Sequence, residues 1–420
     1  MPSDTFYTAI DIGNSKIASV VARVGTEGEL KILGTGVVPS QGMNKGRIES
    51  IDEVRAAIAT SLEEAQRYIG RGVVAGVYVG VSGSHITCVN TKDVVQNPGD
   101  IKDVDAHLLN QLIQSSFPEV GHTQEVLHVI PIGYDVDGLS GVRNPVGLYA
   151  DEIQVDAHVV LGDAVVLKNT IKAVESNRVS VQSLVLQSLA SAEATLTGDE
   201  REMGAVFVDI GAGTTDLAIY RQGSPWYSAV IPVGGNQLTR DLQVALNSSF
   251  YMAEEIKLKW GHVYPDMLQG SEDIVIPSYQ GQPRRVVQRK RIAEPLNARM
   301  VEMLKQILLK VRQSGLRQIP DGGLVITGGC ADLAGLQELA IKTLGGPVRI
   351  GHPRGISGLP TNLRKPAFST AVGLLLWGIK HQGERRYYGT GQSTLFGKKS
   401  FFSRFKREAK SKAGSEVAAH

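Results

Sequence analysis

Two short turns in the sequence carry residue types suited to binding phosphate. The first is Asp11-Ile12-Gly13-Asn14-Ser15-Lys16, and the second, which begins 198 positions later, is Asp209-Ile210-Gly211-Ala212-Gly213-Thr214-Thr215-Asp216. Each lies between two apolar segments typical of strands. Glycines in such a turn allow several backbone N–H groups to point into one concavity that suits phosphate. The side chains expected to add donors are those of Ser15, Lys16, Thr214 and Thr215.

The aspartates that open the two turns are candidates for a metal site. Asp11 and Asp209 could each hold a water of a phosphate-bound Mg²⁺, which prefers octahedral oxygen ligands and keeps several of its waters. Either turn alone would fit an ordinary hairpin with a glycine turn. Their recurrence at the start of two halves favours phosphate binding, and it predicts a duplicated α/β domain.

Other nucleotide-binding motifs either are absent or have the wrong neighbours. The sequence contains no Gly-x-x-x-x-Gly-Lys-Ser/Thr motif, which excludes a P-loop enzyme. A Gly-x-Gly motif occurs at Gly211 to Gly213, but the following segment is typical of a strand, whereas a dinucleotide fold requires a helix there. The pairs Gly234-Gly235 and Gly328-Gly329 are each expected to end a strand and open a helix, where a nucleotide could approach the backbone.

The composition is that of an ordinary globular protein. Of the 420 residues, 42% are apolar, which is enough for a sizeable core, and the net charge of +2 excludes a generally basic nucleic-acid binder. The only cysteines, Cys88 and Cys330, cannot form a disulfide framework, which favours a reducing cytoplasm. The N-terminus lacks a signal-peptide pattern. The longest apolar-plus-glycine run near the end, 371–379, is shorter than the about 20 residues that span a bilayer, so we expect no membrane crossing.

The order of elements predicts an α/β fold in two halves with an insert. The chain opens as three strands, a helix and a buried strand, changes to a compact α+β segment, and then returns to the opening pattern. The expected divisions are 1–83, domain I; 84–162, an inserted α+β subdomain; 163–196, domain I continued; 197–236, the inner part of domain II; 237–318, its outer subdomain; 319–366, the inner part continued; 367–381, the closing helix of domain I; 382–398, a flexible linker; and 399–420, an amphipathic tail.

The tail pattern predicts a short helix that lies on a membrane surface. At 100° per residue, three phenylalanines and Ala409 fall within an arc about 100° wide, and cations occupy the opposite arc. Such a stripe usually packs into a core, but this one follows a linker beyond the last domain helix, which favours an anionic bilayer. The residues expected to contact it are Phe401, Phe402, Arg404, Phe405, Lys406 and Arg407.

These features resemble the actin-like ATPase superfamily, and within it the FtsA family of bacterial cell-division proteins. The superfamily likeness rests on the two turns and on Val325-Ile326-Thr327-Gly328-Gly329, which is similar to its adenosine-binding element. The family likeness extends from about Tyr7 to Lys380. Its characteristic segments are Val81-Ser82-Gly83-Ser84-His85-Ile86, Arg143-Asn144-Pro145-Val146-Gly147-Leu148, Gly42-Met43-Asn44-Lys45-Gly46 and Phe368-Ser369-Thr370-Ala371-Val372-Gly373.

The resemblance implies a fold and a cofactor. The fold is that of an actin-like ATPase, with duplicated ribonuclease-H-like domains, the insert and the amphipathic C-terminal helix. The cofactor is ATP with Mg²⁺. The segment Ala253-Glu254-Glu255-Ile256-Lys257 is similar to the helix that contacts ribose and adenine, with Glu254 and Lys257 at the matching positions. An amphipathic surface helix with i,i+3 charge pairs fits that segment equally well.

The resemblance also implies a function. A member of this family binds ATP with weak or no ATPase activity, polymerises on the cytoplasmic face of the cell membrane at the division site, tethers the FtsZ ring and recruits downstream division proteins. The insert would make longitudinal polymer contacts and face those downstream partners. The C-terminal peptide of FtsZ would bind the outer subdomain at about residues 237 to 318.

Two further features each have two interpretations, and the histidines do not indicate a metal site. Gln187 falls where superfamily members often carry a water-orienting residue, although a mid-helix glutamine is usually polar surface. The basic cluster at 284–291 could receive an acidic peptide or be a solvated loop; its members are Arg284, Arg285, Arg289, Lys290 and Arg291. The nine histidines show no metal-binding spacing, so we expect no transition-metal site.

Two alternative functions remain open at this point. An actin-like partner in pilus assembly shares much of the pattern but lacks an amphipathic tail of this kind. A small-molecule kinase of the same superfamily would need a catalytic aspartate aimed at a substrate hydroxyl, and the sequence does not identify one.

Overall fold

The first half of the chain begins with a hairpin at the centre of a sheet. The computed structural model describes residues 5–25, 29–69, 74–97, 102–118, 121, 123–269, 272–276, 284–356 and 358–381. The predicted linker and tail, with Phe401 to Arg407, lie outside the described residues. The first elements are β1 (Thr5–Ile12), β2 (Lys16–Val24), β3 (Leu30–Pro39), β4 (Met43–Asn44), β5 (Arg47–Ile48), α1 (Ile51–Gln66) and β6 (Gly76–Val81).

The sequence accounts for these elements. β1 is buried at every position from Tyr7 onward, as expected for a strand that is covered on both faces. The side chain of Ser50 caps α1 by accepting a hydrogen bond from the backbone N–H of Glu53. The helix then buries Val54 and Ile58 among other residues at helical spacing, which packs it on β2 and β3.

The insert follows β6 and forms a separate sheet. Its elements are β7 (Thr87–Gln96), α2 (Ala106–Ser115), β8 (Gln124–Val136), β9 (Leu139–Val142) and β10 (Glu152–Asp163). The strands are all antiparallel in the order β7-β10-β8-β9. Leu109 and Leu112 of α2 pack with Tyr134 and Ile153 in an apolar cluster that is distinct from the cores of the two halves.

The chain then completes the first sheet. α3 (Ala164–Glu175) begins at Asp163, whose carboxylate accepts hydrogen bonds from two backbone N–H groups of the helix. β11 (Ser180–Leu186) pairs parallel with β6, and α4 (Gln187–Thr195) follows it directly. The finished sheet has the order β11-β6-β1-β2-β3.

The second half repeats this arrangement. Its sheet has the order β14-β13-β12-β17-β18, which matches β3-β2-β1-β6-β11 of the first half strand for strand. The predicted duplicated α/β fold is therefore confirmed. The elements are α5 (Gly198–Met203), β12 (Ala205–Ile210), β13 (Thr215–Arg221), β14 (Ser224–Ile231), α6 (Gly235–Leu246), α7 (Phe250–Trp260), β15 (Asp273–Ile276), β16 (Arg285–Gln288), α8 (Arg289–Gln313), β17 (Leu324–Thr327), α9 (Leu336–Leu344) and β18 (Val348–Ile350).

The last described helix returns to the first half. α10 (Ser369–Lys380) packs closely on α4 and also contacts β1 and β6. Its first residue remains tied to the second half, because the hydroxyls of Ser369 and Thr327 lie 2.6 Å apart. Among the described residues, no helix has both the length and the apolar character needed to cross a membrane.

Two local expectations were wrong. The sequence predicts a helix from Pro295 to Arg312, but α8 begins six residues earlier, since Ile292 and Ala293 are buried in the core and anchor its first turns. The glycine pair at 328–329 opens a 3₁₀ turn, and α9 begins only at Leu336 because Gly335 adopts positive φ.

The basic cluster is also not a loop. Arg285 belongs to β16, and Arg289 begins α8. Arg285 donates to the carbonyl of Leu246 at 2.5 Å, and Arg289 donates to the carbonyl of Trp260 and to Glu272. These two cations therefore fasten the β15–β16 hairpin to neighbouring elements, whereas Arg284, Lys290 and Arg291 are exposed.

A charged cluster joins the second sheet to the end of α4. Arg349 of β18 donates to both carboxylate oxygens of Glu200, at 2.5 and 2.7 Å, and to the carbonyl of Thr195 at 2.9 Å. Burial alone would raise the pKa of Glu200, but the hydrogen bonds from Arg349 and from the backbone N–H of Thr197 lower it to about 2. The ionised carboxylate therefore stabilises the folded state.

We expect Arg349→Met to lower stability at pH 7 and to weaken its dependence on acid. The pKa of Glu200 is below its ordinary value of 4.5 in the folded chain, so its contribution is complete above about pH 4.5 and is lost as pH falls towards 2. Removal of the guanidinium should cost about 1–3 kcal/mol at neutral pH. Thermal unfolding between pH 7 and pH 3 should show a shallower decline in the variant than in the wild type.

Lys342→Met is the matched control. Lys342 pairs with Asp266 at 3.2 Å, but both side chains are more than half exposed, and such pairs contribute little. Its melting curve should follow that of the wild type at each pH. An equal loss of pH dependence in both variants would contradict the role given to Arg349.

Candidate functional site

A cleft of about 470 Å³ lies between the two sheets and receives both predicted turns. The carboxyl ends of β1 and β12 face each other there, so the first turn comes from one half and the second from the other. The predicted residues that line it are Asp11, Gly13, Asn14, Ser15, Lys16, Gln187, Asp209, Gly211, Thr214, Gly235, Glu254, Lys257, Gly328 and Gly329. Fourteen residues up to 318 positions apart in sequence therefore meet in one cavity.

Three predicted residues support the cleft from behind its surface. Thr215 is buried, and its hydroxyl donates to the carbonyl of Val233 at 2.8 Å. Gly213 packs against the side-chain amide of Asn14, and Gly234 packs against the second turn. None of these three is among the residues that line the cavity. Their contribution is to the shape of the second turn, which leaves their predicted contact with a ligand untested.

The two turns have the same backbone closure. The N–H of Gly13 donates to the carbonyl of Lys16 at 3.0 Å, and the N–H of Gly211 donates to the carbonyl of Thr214 at 2.9 Å. The start of α6 is then fixed to the second turn, since the N–H of Gly235 donates to the carbonyl of Gly211. A helix N-terminus and two glycine turns thus face the same space, an arrangement that favours an anion.

Asp209 is held by hydroxyls from the opposite half. Ser191 of α4 and Thr370 of α10 donate to the same carboxylate oxygen, at 2.7 and 3.2 Å. Burial raises the pKa of Asp209, and these hydrogen bonds oppose the rise. Neither hydroxyl residue had a sequence-based role, because their partner lies 18 residues away in one case and 161 in the other.

Gln187 is held in position by a hydrogen bond to Asp11. The side-chain amide of Gln187 donates to the carboxylate of Asp11 at 3.1 Å. Gln187 is half-buried and is the first residue of α4, so it is not the mid-helix surface residue that the alternative interpretation assumed. Burial raises the pKa of Asp11 to about 6, with Lys16 opposing and Asp209 reinforcing the rise. Whether Gln187 orients a water remains a prediction.

Asp216 is a third buried aspartate in the cleft, and sequence reasoning did not assign it a role. Thr214 donates to one of its carboxylate oxygens at 3.0 Å, and the other has no hydrogen-bond partner within the described part of the chain. Burial raises its pKa to about 7; the hydroxyls of Ser82 and Thr214 oppose this rise, and the charges of Asp209 and Asp11 add to it. The feature of the sequence that could have indicated Asp216 is its charge near the start of β13. All residues of that strand are buried except Arg221.

The acidic cluster fits a bound cation. Asp11, Asp209 and Asp216 are each less than a tenth exposed, and repulsion among their charges raises the pKa of Asp11 and Asp216. A positive charge nearby would relieve this repulsion and give the open oxygen of Asp216 a partner. In the described ranges, no three His, Cys, Asp or Glu side chains are grouped so that they could ligate a metal directly.

The far side of the cleft is built around a buried lysine. The ammonium of Lys257 lies 2.7 Å from Glu254, 2.8 Å from the hydroxyl of Thr239 and 3.2 Å from the carbonyl of Gly235. The predicted i,i+3 pair therefore exists, but it is not a surface pair, since Lys257 is 5% exposed. Because its three donors are all used inside the protein, Lys257 positions Glu254 and α6.

Lysines and small residues complete the lining. The ammonium of Lys16 lies over the ring of Phe368, 5.0 Å from its centre. Lys365, for which the sequence analysis made no prediction, is exposed and lines the same cleft. Two cations therefore face the turns: Lys16 from the first turn and Lys365 from the segment that precedes α10. Cys330 is buried beside Gly235, and burial raises the pKa of its thiol to about 11, which keeps it neutral.

The adjacent glycines 328 and 329 are predicted to respond differently to substitution. Gly328 has a φ of +90°, and a Cβ there would lie 2.3 Å from a carboxylate oxygen of Asp209 and 2.5 Å from the carbonyl of Ile210. Gly328→Ala should therefore lower the free energy of unfolding by about 2–4 kcal/mol. Chemical denaturation of the purified full chain measures this loss.

Gly329→Ala is the neighbouring control. Apart from Gly329 itself and its two chain neighbours, no described atom lies within 4 Å of the Cβ position of Gly329. Its substitution should change stability by less than about 1 kcal/mol. Equal losses in the two variants would show that the contact with Asp209 is not the cause.

Comparisons with known proteins identify the family. Residues 206–373 match the family model for the cell division protein FtsA, and residues 83–161 match the model for the SHS2 domain inserted in FtsA. The cell division protein FtsA of Pseudomonas aeruginosa is 34% identical over 388 residues, which cover 91% of each chain.

Solved structures support the fold. The PilM–PilN type IV pilus biogenesis complex contains a chain with a TM-score of 0.63 at 18% identity, covering 89% of this chain and 98% of that one. MreB5 of Spiroplasma citri bound to ADP gives a TM-score of 0.52 at 13% identity, covering 90% and 96%. These likenesses show an actin-like ATPase fold, and the 34% identity over nine-tenths of both sequences shows that this chain belongs to the FtsA family and has an actin-like role in cell division.

Proposed function

We propose that the cleft binds ATP with Mg²⁺. The observation that carries this proposal is the convergence of the two Asp-Ile-Gly turns, one from each half, on a single cavity with three buried carboxylates. Backbone N–H groups of the turns and the start of α6 would hold the phosphates. Support also comes from a fold neighbour, MreB5 of Spiroplasma citri, whose structure is described as bound to ADP.

The side chains divide between the two ends of the nucleotide. Asp11 and Asp209 would hold Mg²⁺ through water, and Asp216 adds a third negative charge beside them; the metal would neutralise phosphate charge. Lys16, Ser15 and Thr214 would donate to phosphate oxygens. At the other end, Gly328 and Gly329 leave room for adenosine, and Glu254, held in place by Lys257, would accept a ribose hydroxyl.

We further propose that ATP-dependent self-assembly lines up the C-terminal tails on an anionic membrane. One tail should bind weakly, since burial of three phenylalanines gives roughly 5–9 kcal/mol and ordering the backbone opposes this by about 1–2 kcal/mol per residue. A polymer presents many tails at once and raises the avidity. The anchored polymer would hold the C-terminal peptide of FtsZ on the outer subdomain and recruit downstream division proteins at the cytoplasmic face of the cell membrane.

Asp209→Asn tests the nucleotide site. In the wild type, Mg²⁺ should strengthen ATP binding, because it neutralises the repulsion between phosphate and the three carboxylates. The variant keeps an acceptor for Ser191 and Thr370 but loses one negative charge, so the gain from Mg²⁺ should fall by about tenfold. Calorimetric titration of ATP with Mg²⁺ and with EDTA measures it.

Asp332→Asn is the control for charge. Asp332 lines the same cleft but is exposed and lies in the 3₁₀ turn at the adenosine end. This variant should keep the full gain from Mg²⁺. If Asp209→Asn also keeps it, Asp209 does not serve a metal, and if the wild type does not bind ATP, the proposed cofactor is wrong.

Phe402→Glu tests the anchoring function. In vesicle sedimentation with phosphatidylglycerol, the wild-type chain should carry a labelled FtsZ C-terminal peptide into the pellet when ATP is present. The variant should bind the peptide equally in solution but bring at least about tenfold less to the vesicles, because it loses an apolar contact and gains repulsion from anionic lipid.

Phe402→Leu keeps the apolar side chain and should sediment like the wild type. Peptide in the pellet with Phe402→Glu at the wild-type level would show that the tail is not the anchor. Absence of peptide binding by the wild type in solution would instead overturn the assignment of FtsZ as the partner.

A further inference from the structure

The insert leaves the first half at a point that touches the opposite side of the cleft. β6 ends at Val81, and the four-stranded insert sheet begins with β7 at Thr87. Ser82, the first residue after β6, donates from its hydroxyl to the hydroxyl of Thr214 at 3.2 Å. Thr214 lies in the second turn and lines the cleft. The start of the insert and the second turn are therefore joined directly.

This contact continues to Asp216 and excludes water. Thr214 donates to the carboxylate of Asp216 at 3.0 Å. Ser82, Thr214 and Asp216 are 5%, 4% and 3% exposed, respectively. Because water cannot replace these buried hydrogen-bond partners, a change in the position of the second turn also displaces Ser82.

The segment after Ser82 is packed too tightly to absorb such a change by itself. Gly83 has a φ of +138°, and a Cβ there would lie 2.7 Å from Nδ1 of the buried His85 ring. On the other side, a Cβ on Gly46 would lie 2.4 Å from the carbonyl oxygen of Ser82. The N–H of Ile86 closes the turn onto the carbonyl of Gly83 at 3.1 Å. We expect residues 82 to 86 to move as one unit.

The insert also contacts the second half through a row of polar side chains, which we call the β14 seam. Asn90 of β7 donates to the carbonyl of Trp226 at 3.0 Å, and His158 of β10 joins Asn90, at 2.8 Å, to Ser228, at 3.0 Å. Arg143 pairs with Glu202 near α5. The segment that leads into the insert thus touches the second half at the cleft, and the insert itself touches it at the sheet edge.

We propose that Ser82 is a positioning residue that couples ligand binding at the second turn to the orientation of the insert. This inference rests on the proposed binding of ATP in the cleft. When phosphate engages the second turn, Thr214 shifts relative to Ser82, and the rigid segment 82–86 transmits that shift to β7. The insert then moves against the β14 seam, so the surface that it offers to partners depends on the nucleotide.

Hydrogen–deuterium exchange of the full chain, with and without saturating ATP and Mg²⁺, tests the coupling. In the wild type, ATP should change deuterium uptake in peptides covering β7 and β14 by at least about twofold. In Ser82→Ala this difference should fall to less than about a third, while ATP affinity stays within about threefold of the wild type. A purely structural role would raise uptake equally with and without ATP.

Two variants serve as controls. Ser84→Ala removes an exposed hydroxyl two residues away and should keep the wild-type difference. Ser82→Thr restores the hydroxyl and should recover it. A full ATP-dependent difference in Ser82→Ala overturns the inference, as does a wild type that binds ATP without any change at β7 and β14. A wild type that does not bind ATP overturns the proposed cofactor and this inference together.

Discussion

The structure depends on holding three carboxylates in a buried junction between two sheets. An ionised carboxylate away from water is costly unless hydrogen bonds compensate it. For Asp209 of the second half, the compensation comes from Ser191 and Thr370 of the first half. The relative position of the halves is therefore set by a polar requirement and not by apolar packing alone. Any motion that opens the cleft must break these hydrogen bonds or carry α4 and α10 along.

Duplication explains why the carboxylates meet. Each sheet has the same strand order, so the first strand of each, β1 and β12, ends at an equivalent place. An aspartate at that end, followed by a glycine turn, produces two equivalent sites that face each other when the halves pack. The halves differ in the segments between their sheet strands. The first half carries the insert after β6, and the second carries α6 to α8 with the β15–β16 hairpin.

The sequence was sufficient for features that repeat or are periodic. The two Asp-Ile-Gly turns predicted the duplicated fold and the walls of the cleft, and the order of elements predicted the helix α1 between the third strand and the next buried strand. It was insufficient where a contact joins distant segments. Ser82 and Thr214 are 132 positions apart, and no local pattern indicates that their hydroxyls meet. Asp216 was visible only as a charge in an otherwise buried strand.

Elements at the sheet edges were missed for a related reason. β14 contains Pro225, and β11 runs without a break into α4, so neither has the alternation and flanking turns of an isolated strand. Their place is decided by the strand beside them. The same edge strand, β14, then provides the carbonyl of Trp226 and the hydroxyl of Ser228 to the insert, so the seam also could not be predicted from local sequence.

The chemistry of the seam bears on how easily the insert can be reoriented. The outer part of the insert has its own apolar cluster around Leu109 and Ile153. A rigid movement of the insert therefore does not expose that cluster. The polar contacts of the seam are three hydrogen bonds and one ion pair, each with a net contribution of about 1 kcal/mol. Beside them, Leu127 and Val160 of the insert strands pack into the apolar core of the first half. A ligand that distinguishes two states typically does so by about 1–3 kcal/mol. A nucleotide that favours one arrangement by this much can break one or two of the polar contacts, while the apolar packing of Leu127 and Val160 keeps the insert attached to the first half.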